Sequence, residues 1–146
     1  MKLVVYSRKT MEIACPPDHA WAVISICEAG DFPSIYTNTG LLGRLDLKFH
    51  DVDYYKNGER PDSRILFDNG LANQVVDFYE KMKSLGSAVM FIHCLVGQCR
   101  SPAIVAALEK IEGRDDHVWF ATKNPNLRVY DLILEVARER DLLPRG

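Results

Sequence analysis

The residues with the clearest chemical potential are consecutive: His93-Cys94-Leu95-Val96-Gly97-Gln98-Cys99-Arg100-Ser101-Pro102. Five residues separate Cys94 from Arg100, and the segment runs from an apolar, strand-like stretch straight into a helix start. A loop wedged between a strand and a helix N-terminus gathers backbone N–H groups into one concavity, and the helix dipole adds partial positive charge. Such a loop binds anions. Leu95, Val96, Gly97, Gln98 and Cys99 would supply its amides, and Arg100 a planar fork for two oxygens of a phosphate-like dianion. A helix N-terminus and a neighbouring guanidinium also favour the thiolate of a cysteine placed on the floor of such a site, which makes Cys94 the candidate nucleophile. Gly97 suits a tight curl with positive φ. The Ser101 hydroxyl can donate to the Cys94 sulfur when it leaves, and His93 is expected to brace the loop through its ring.

The elements that must hold this loop can be read from apolar periodicity. Short β-branched runs at residues 3–6, 20–26, 45–49 and 88–93, each bounded by Gly, Pro, Asp or Ser, predict strands. Leu71, Val75, Phe78, Met82 and Leu85 recur at helical spacing, with Gly86 placed to stop the helix. Two more helices are predicted at 102–112 and 125–139, with Ser101 and Asn124 as N-cap candidates and a proline at each first position. Strands alternating with helices, and a run at 89–92 fit for burial on both faces, argue for an α/β domain with a mostly parallel central sheet flanked by helices. One such domain is expected over residues 1–146. Two connections, 28–44 and 51–70, are long enough to be functional.

Composition narrows the function. Hydrophobic residues make up 47% and charged residues 26% of the 146, as in ordinary globular chains, and the net charge of -2 with no Lys/Arg block argues against nucleic acid as a partner. No apolar stretch reaches the length of a membrane span, and residues 1–9 lack the features of a secretory signal, so a cytoplasmic location is expected. The four cysteines, Cys15, Cys27, Cys94 and Cys99, are too scattered for a disulfide framework or for the close pairs of structural zinc. No metal site is expected. His19, His50 and His117 read as surface or loop residues, and Asp46 and Lys48 as the solvated face of an edge strand.

With these residues in view, the chain resembles the cysteine-based protein tyrosine phosphatases, whose signature is His-Cys, five residues, Arg, then Ser or Thr. It looks most like the small dual-specificity-like enzymes of bacteria and phages, since the strand ending at Phe49 is followed by His50-Asp51 where those enzymes carry their general acid. Pro125-Asn126 is likewise similar to the start of their final helix. The resemblance covers roughly residues 41–140 and implies a phosphatase-like fold of the dual-specificity type. Residue 99, often Ser or Thr in such relatives, is Cys here, which also resembles the loop of low-molecular-weight phosphatases. In that family, however, the loop follows the first strand.

The chemistry so implied is in-line attack of Cys94 on phosphorus, with Arg100 and the loop amides holding the oxygens and an Asp protonating the leaving group. Water then hydrolyses the phosphocysteine, with no cofactor. For the acid, Asp51 ranks before Asp53 and Asp62. The expected substrates are phosphorylated proteins or peptides, phosphotyrosine first and phosphoserine or phosphothreonine in addition, with phosphate or vanadate as active-site ligands. The absence of Lys from the loop disfavours a highly charged lipid headgroup.

Plainer readings stand beside these. Cys94 could be a core cysteine ending a strand, and Asp51 a turn residue. Cys99 either fills space under the loop or traps oxidised Cys94 as a disulfide. Cys15 and Cys27 read as inert thiols. Tyr54 and Tyr55 could line a pocket, and Arg60 and Arg64 could select acidic flanks on a substrate. Three functional alternatives remain: a rhodanese-like sulfurtransferase, an arsenate reductase, and a phosphate- or phosphoprotein-binding module with little turnover.

Overall fold

A computed structural model describes residues 1–14, 17, 19–28, 40–52 and 65–144. Four strands, β1 (Lys2–Ser7), β2 (Trp21–Cys27), β3 (Leu41–Lys48) and β4 (Val89–Cys94), form a parallel sheet in the order β1-β4-β2-β3. The helices are α1 (Arg8–Ile13), α2 (Asn69–Ser84), α3 (Arg100–Ile111), α4 (His117–Thr122) and α5 (Leu127–Glu139). The expected α/β architecture is thus present.

The two central strands, β2 and β4, are buried at every residue, which is why their sequences read as continuous apolar runs. Their side chains still divide by period two. Met90, Ile92 and Cys94 of β4 join Ala22, Ile24 and Ile26 of β2 in the large core beneath α2, α3 and α5, while Val89 and Phe91 pack with Trp21, Val23 and Met11 of α1 on the other face. Cys94 therefore ends its strand on the face that α3 covers. At the edge, β3 exposes Asp46 and Lys48, as expected for a solvated face, and buries Leu47.

Several boundaries differ from the sequence expectation. The third strand starts at Leu41, not at residue 45, because Gly43 does not interrupt it: a Cβ there would stand 2.8 Å from Cε of Met82, so glycine lets α2 press onto the strand. The third helix starts at Arg100, with Cys99 in the cap position and no side-chain cap; Ser101 lies inside the first turn. At α5 the cap is Asn126, whose side chain accepts from Val129 N at 3.1 Å, and not Asn124. Gly86, with φ +80°, follows α2 as anticipated. Neither α1 nor α4 was foreseen: the first buries only Met11 and the second buries nothing, so neither carries an apolar stripe. Among the described residues, no helix is long and apolar enough to cross a membrane.

Candidate active site

The loop of residues 95–99 leaves β4 and enters α3 over a scaffold drawn from three parts of the chain. Leu95 O accepts from Arg8 N at 3.3 Å, Gln98 O from Asn124 N at 3.0 Å and Cys99 O from Asn126 N at 2.9 Å. With these carbonyls tied outward, Gly97 N donates to Cys94 Sγ at 3.2 Å. Gly97 has φ +79°, and a Cβ on it would lie 3.1 Å from Ser7 N and 3.2 Å from Tyr6 O. Both the turn and the close backbone approach require glycine.

Cys94 is 2% exposed, and Ser101 Oγ lies 3.1 Å from its sulfur, where a hydroxyl can donate to a thiolate. Arg100, 5% exposed, donates from Nη1 to Phe49 O at 2.9 Å, and Glu28 Oε1 lies 3.7 Å from the same nitrogen. The guanidinium is thereby clamped to the ends of β2 and β3. Immediately beyond Phe49, His50 fixes the chain leading into Asp51: its N–H donates to Ile65 O at 2.8 Å, and its Nδ1 accepts from Ile65 N at 2.9 Å.

Asp51 is held by Asn126 and has Cys99 as a neighbour. The buried Asn126 donates from Nδ2 to Asp51 Oδ1 at 2.9 Å and to Val52 O at 3.1 Å. Cys99 lies beside Asp51, and burial, then the Asp51 charge, push its thiol up to about 11. Cys99 is consequently a protonated thiol at neutral pH.

Asp51, Cys94, Arg100 and Glu28 line one cavity of about 330 Å³ together with Leu95, Val96, Gln98 and Cys99. Of the residues named from the sequence, Asp51, Cys94, Leu95, Val96, Gln98, Cys99 and Arg100 thus line one cavity, and Gly97 and Ser101 join them through their contacts with the sulfur. Asn126, Glu28 and the Phe49 carbonyl are additions, of which only Asn126 had left a sequence signal, the Pro125-Asn126 pair. Asp53, Asp62, Tyr54, Tyr55, Arg60, Arg64 and Cys15 lie outside the described residues. Among the described residues, no group of three or more His, Cys, Asp or Glu side chains is placed to hold a metal ion.

His93 follows Phe91 by period two, opposite Cys94, and does not line the cavity. Burial, reinforced by Arg8, lowers its imidazole from 6.5 to about 4, so it is neutral at physiological pH. Because the unfolded chain takes up this proton below 6.5 and the folded chain only near 4, stability is full above pH 6.5 and falls between those values. The loss expected is about 3 kcal/mol. Denaturant unfolding at pH 7 and pH 4.5 should show His93→Gln lacking that part of the acid slope; an unchanged slope would contradict a buried neutral imidazole.

No protein-family model and no curated protein matches the sequence. Among solved structures, the crystal structure of human tyrosine phosphatase-like serine/threonine/tyrosine-interacting protein is similar over 82% of this chain and 77% of that one, with a TM-score of 0.53 and 17% identity. The fold is phosphatase-like, of the dual-specificity type. At this identity the likeness is one of architecture. Within the phosphatase-like fold, the cavity lies over the carboxyl ends of β2, β3 and β4, where crevices of parallel sheets bind ligands.

Proposed function

We propose that the protein is a metal-independent phosphatase that hydrolyses phosphotyrosine, and phosphoserine or phosphothreonine in addition, through a phosphocysteine on Cys94. The observation that carries this reading is the sulfur's setting: Gly97 N–H at 3.2 Å and Ser101 Oγ at 3.1 Å, in one cavity with Arg100 and Asp51. The phosphatase-like fold supports it.

In the first step Sγ forms a bond to phosphorus as the ester P–O bond breaks. Arg100 and the loop amides hold the equatorial oxygens, and protonated Asp51 gives its proton to the leaving oxygen. Water then attacks phosphorus and passes a proton to Asp51, and the S–P bond breaks. Ser101 and Gly97 receive the departing thiolate with two hydrogen bonds. Asn126, bonded to Oδ1, fixes the orientation of the Asp51 carboxyl throughout.

Asp51→Asn should therefore slow hydrolysis of phenyl phosphate, a poor leaving group, by about a hundredfold, and that of p-nitrophenyl phosphate far less. Equal losses on both substrates would remove Asp51 from the acid role. The test of the reaction itself is phosphate release from an aryl phosphate in the presence of chelator. Release by wild type only, and not by Cys94→Ser, supports the reading; no release, with phosphate still bound, identifies a phosphate-binding module. A persulfide formed from thiosulfate would point to a sulfurtransferase, and thiol-dependent reduction of arsenate to an arsenate reductase.

A further inference from the structure

The lining of the cavity is unusual in charge for a site that must hold a dianion. Among the described residues that line it, Arg100 is the cation, set against two carboxylates, Glu28 and Asp51. Asp51 has its own partners in Asn126 and Cys99. Glu28 is differently placed: it stands at the end of β2, ion-paired with Arg100 Nη1 at 3.7 Å, too long for a hydrogen bond, and 43% of its side chain is exposed. Part-exposed and lining the cavity, the carboxylate also meets whatever enters beside Arg100. The neighbouring lip is apolar, since Leu95 and Val96 are 57% and 63% exposed.

From this arrangement we infer that Glu28 is a specificity-determining charge filter at the mouth of the site. The cavity admits one phosphate on a segment whose neighbouring residues are basic or apolar, and it turns away acidic flanks and adjacent second phosphates. The inference rests on the phosphatase reading and narrows its substrate class.

A single phosphate gains enough from Arg100 and the loop amides to offset one carboxylate nearby. Among the described residues that line the cavity, a second anionic group finds no such compensation, and it meets Glu28 across several ångströms of partly screened solvent. One unit charge at that range changes affinity by about three- to tenfold at low ionic strength, and much less once the screening length falls below the separation. Apolar flanks meanwhile bury surface on Leu95 and Val96.

The test uses phosphotyrosine peptides of one core sequence with lysine, leucine or glutamate flanks, and a doubly phosphorylated peptide. Values of kcat/KM are measured for wild type, Glu28→Gln and Glu28→Lys at about 10 mM and about 150 mM salt, with p-nitrophenyl phosphate as the flank-free control. Wild type should prefer basic to acidic flanks by about tenfold at low salt, Glu28→Gln should compress that ratio by about three- to tenfold, and Glu28→Lys should invert it. Added salt should shrink every difference. Because the readout is a ratio between peptides, any effect of Glu28 on Arg100 itself cancels. A ratio left unchanged by both substitutions overturns the filter. Loss of p-nitrophenyl phosphate turnover in wild type refutes the phosphatase reading instead; peptide binding to Cys94→Ser then decides the filter by the same ratios.

Discussion

Cys94→Ser is expected to lose aryl phosphate turnover by at least about a thousandfold while still binding inorganic phosphate. Serine nearly matches cysteine in shape, and the side chain it replaces is 2% exposed between Ser101 and Gly97, so the loop has no reason to move. What changes is the chemistry. An alcohol is un-ionised at neutral pH and attacks poorly, and in the second step it leaves poorly as well. Arg100 and the loop amides, which bind the anion, remain in place. Calorimetric titration with phosphate should give a Kd within about threefold of wild type beside the lost kcat, a pattern expected of removed transition-state chemistry and not of lost binding. Turnover surviving within tenfold of wild type would remove Cys94 from the nucleophile's role.

Arg100→Lys is expected to cost about a hundredfold or more in kcat/KM, although it conserves charge. One Arg100 nitrogen is already committed to Phe49 O at 2.9 Å, which leaves the remaining N–H groups of a rigid fork to meet the phosphate oxygens. An ammonium on a flexible stem cannot hold that carbonyl and two oxygens in one plane. With the side chain 5% exposed, lysine would also keep a strongly hydrated charge in a poorly solvated place. The kinetic comparison belongs beside a thermal melt, so that a folded variant with low kcat is distinguished from an unfolded one. Activity within a few fold of wild type would mean that the fork geometry has no part in the reaction.

Which parts of the molecule were legible in the sequence follows from how far each signal extends along the chain. Both buried central strands declare themselves as continuous apolar runs and the long helices α2 and α5 by period, and the loop from Cys94 to Ser101 declares itself because its chemistry is contiguous. The short helices α1 and α4 bury one residue and none, too few to impose a period. Gly43 reads as a loop residue because a close approach by Met82 has no local signature. The site's outer parts are distant in the same way: Asn126 reaches Asp51 across 75 positions, and Arg100 reaches Phe49 across 51. A backbone acceptor such as Phe49 O leaves no mark on residue identity at all. Cys99 was open to two readings because its third, a thiol held protonated against Asp51, depends on the β3 end lying beside the loop.

The covalent intermediate is the central claim, and it can be trapped. Wild-type protein mixed with excess p-nitrophenyl phosphate, quenched in denaturant within a turnover and digested, should yield the peptide containing Cys94 carrying one phosphoryl group, and Cys94→Ser should yield none. Phosphate released with no phosphoryl group on the protein, or with that group on another residue, would contradict the account.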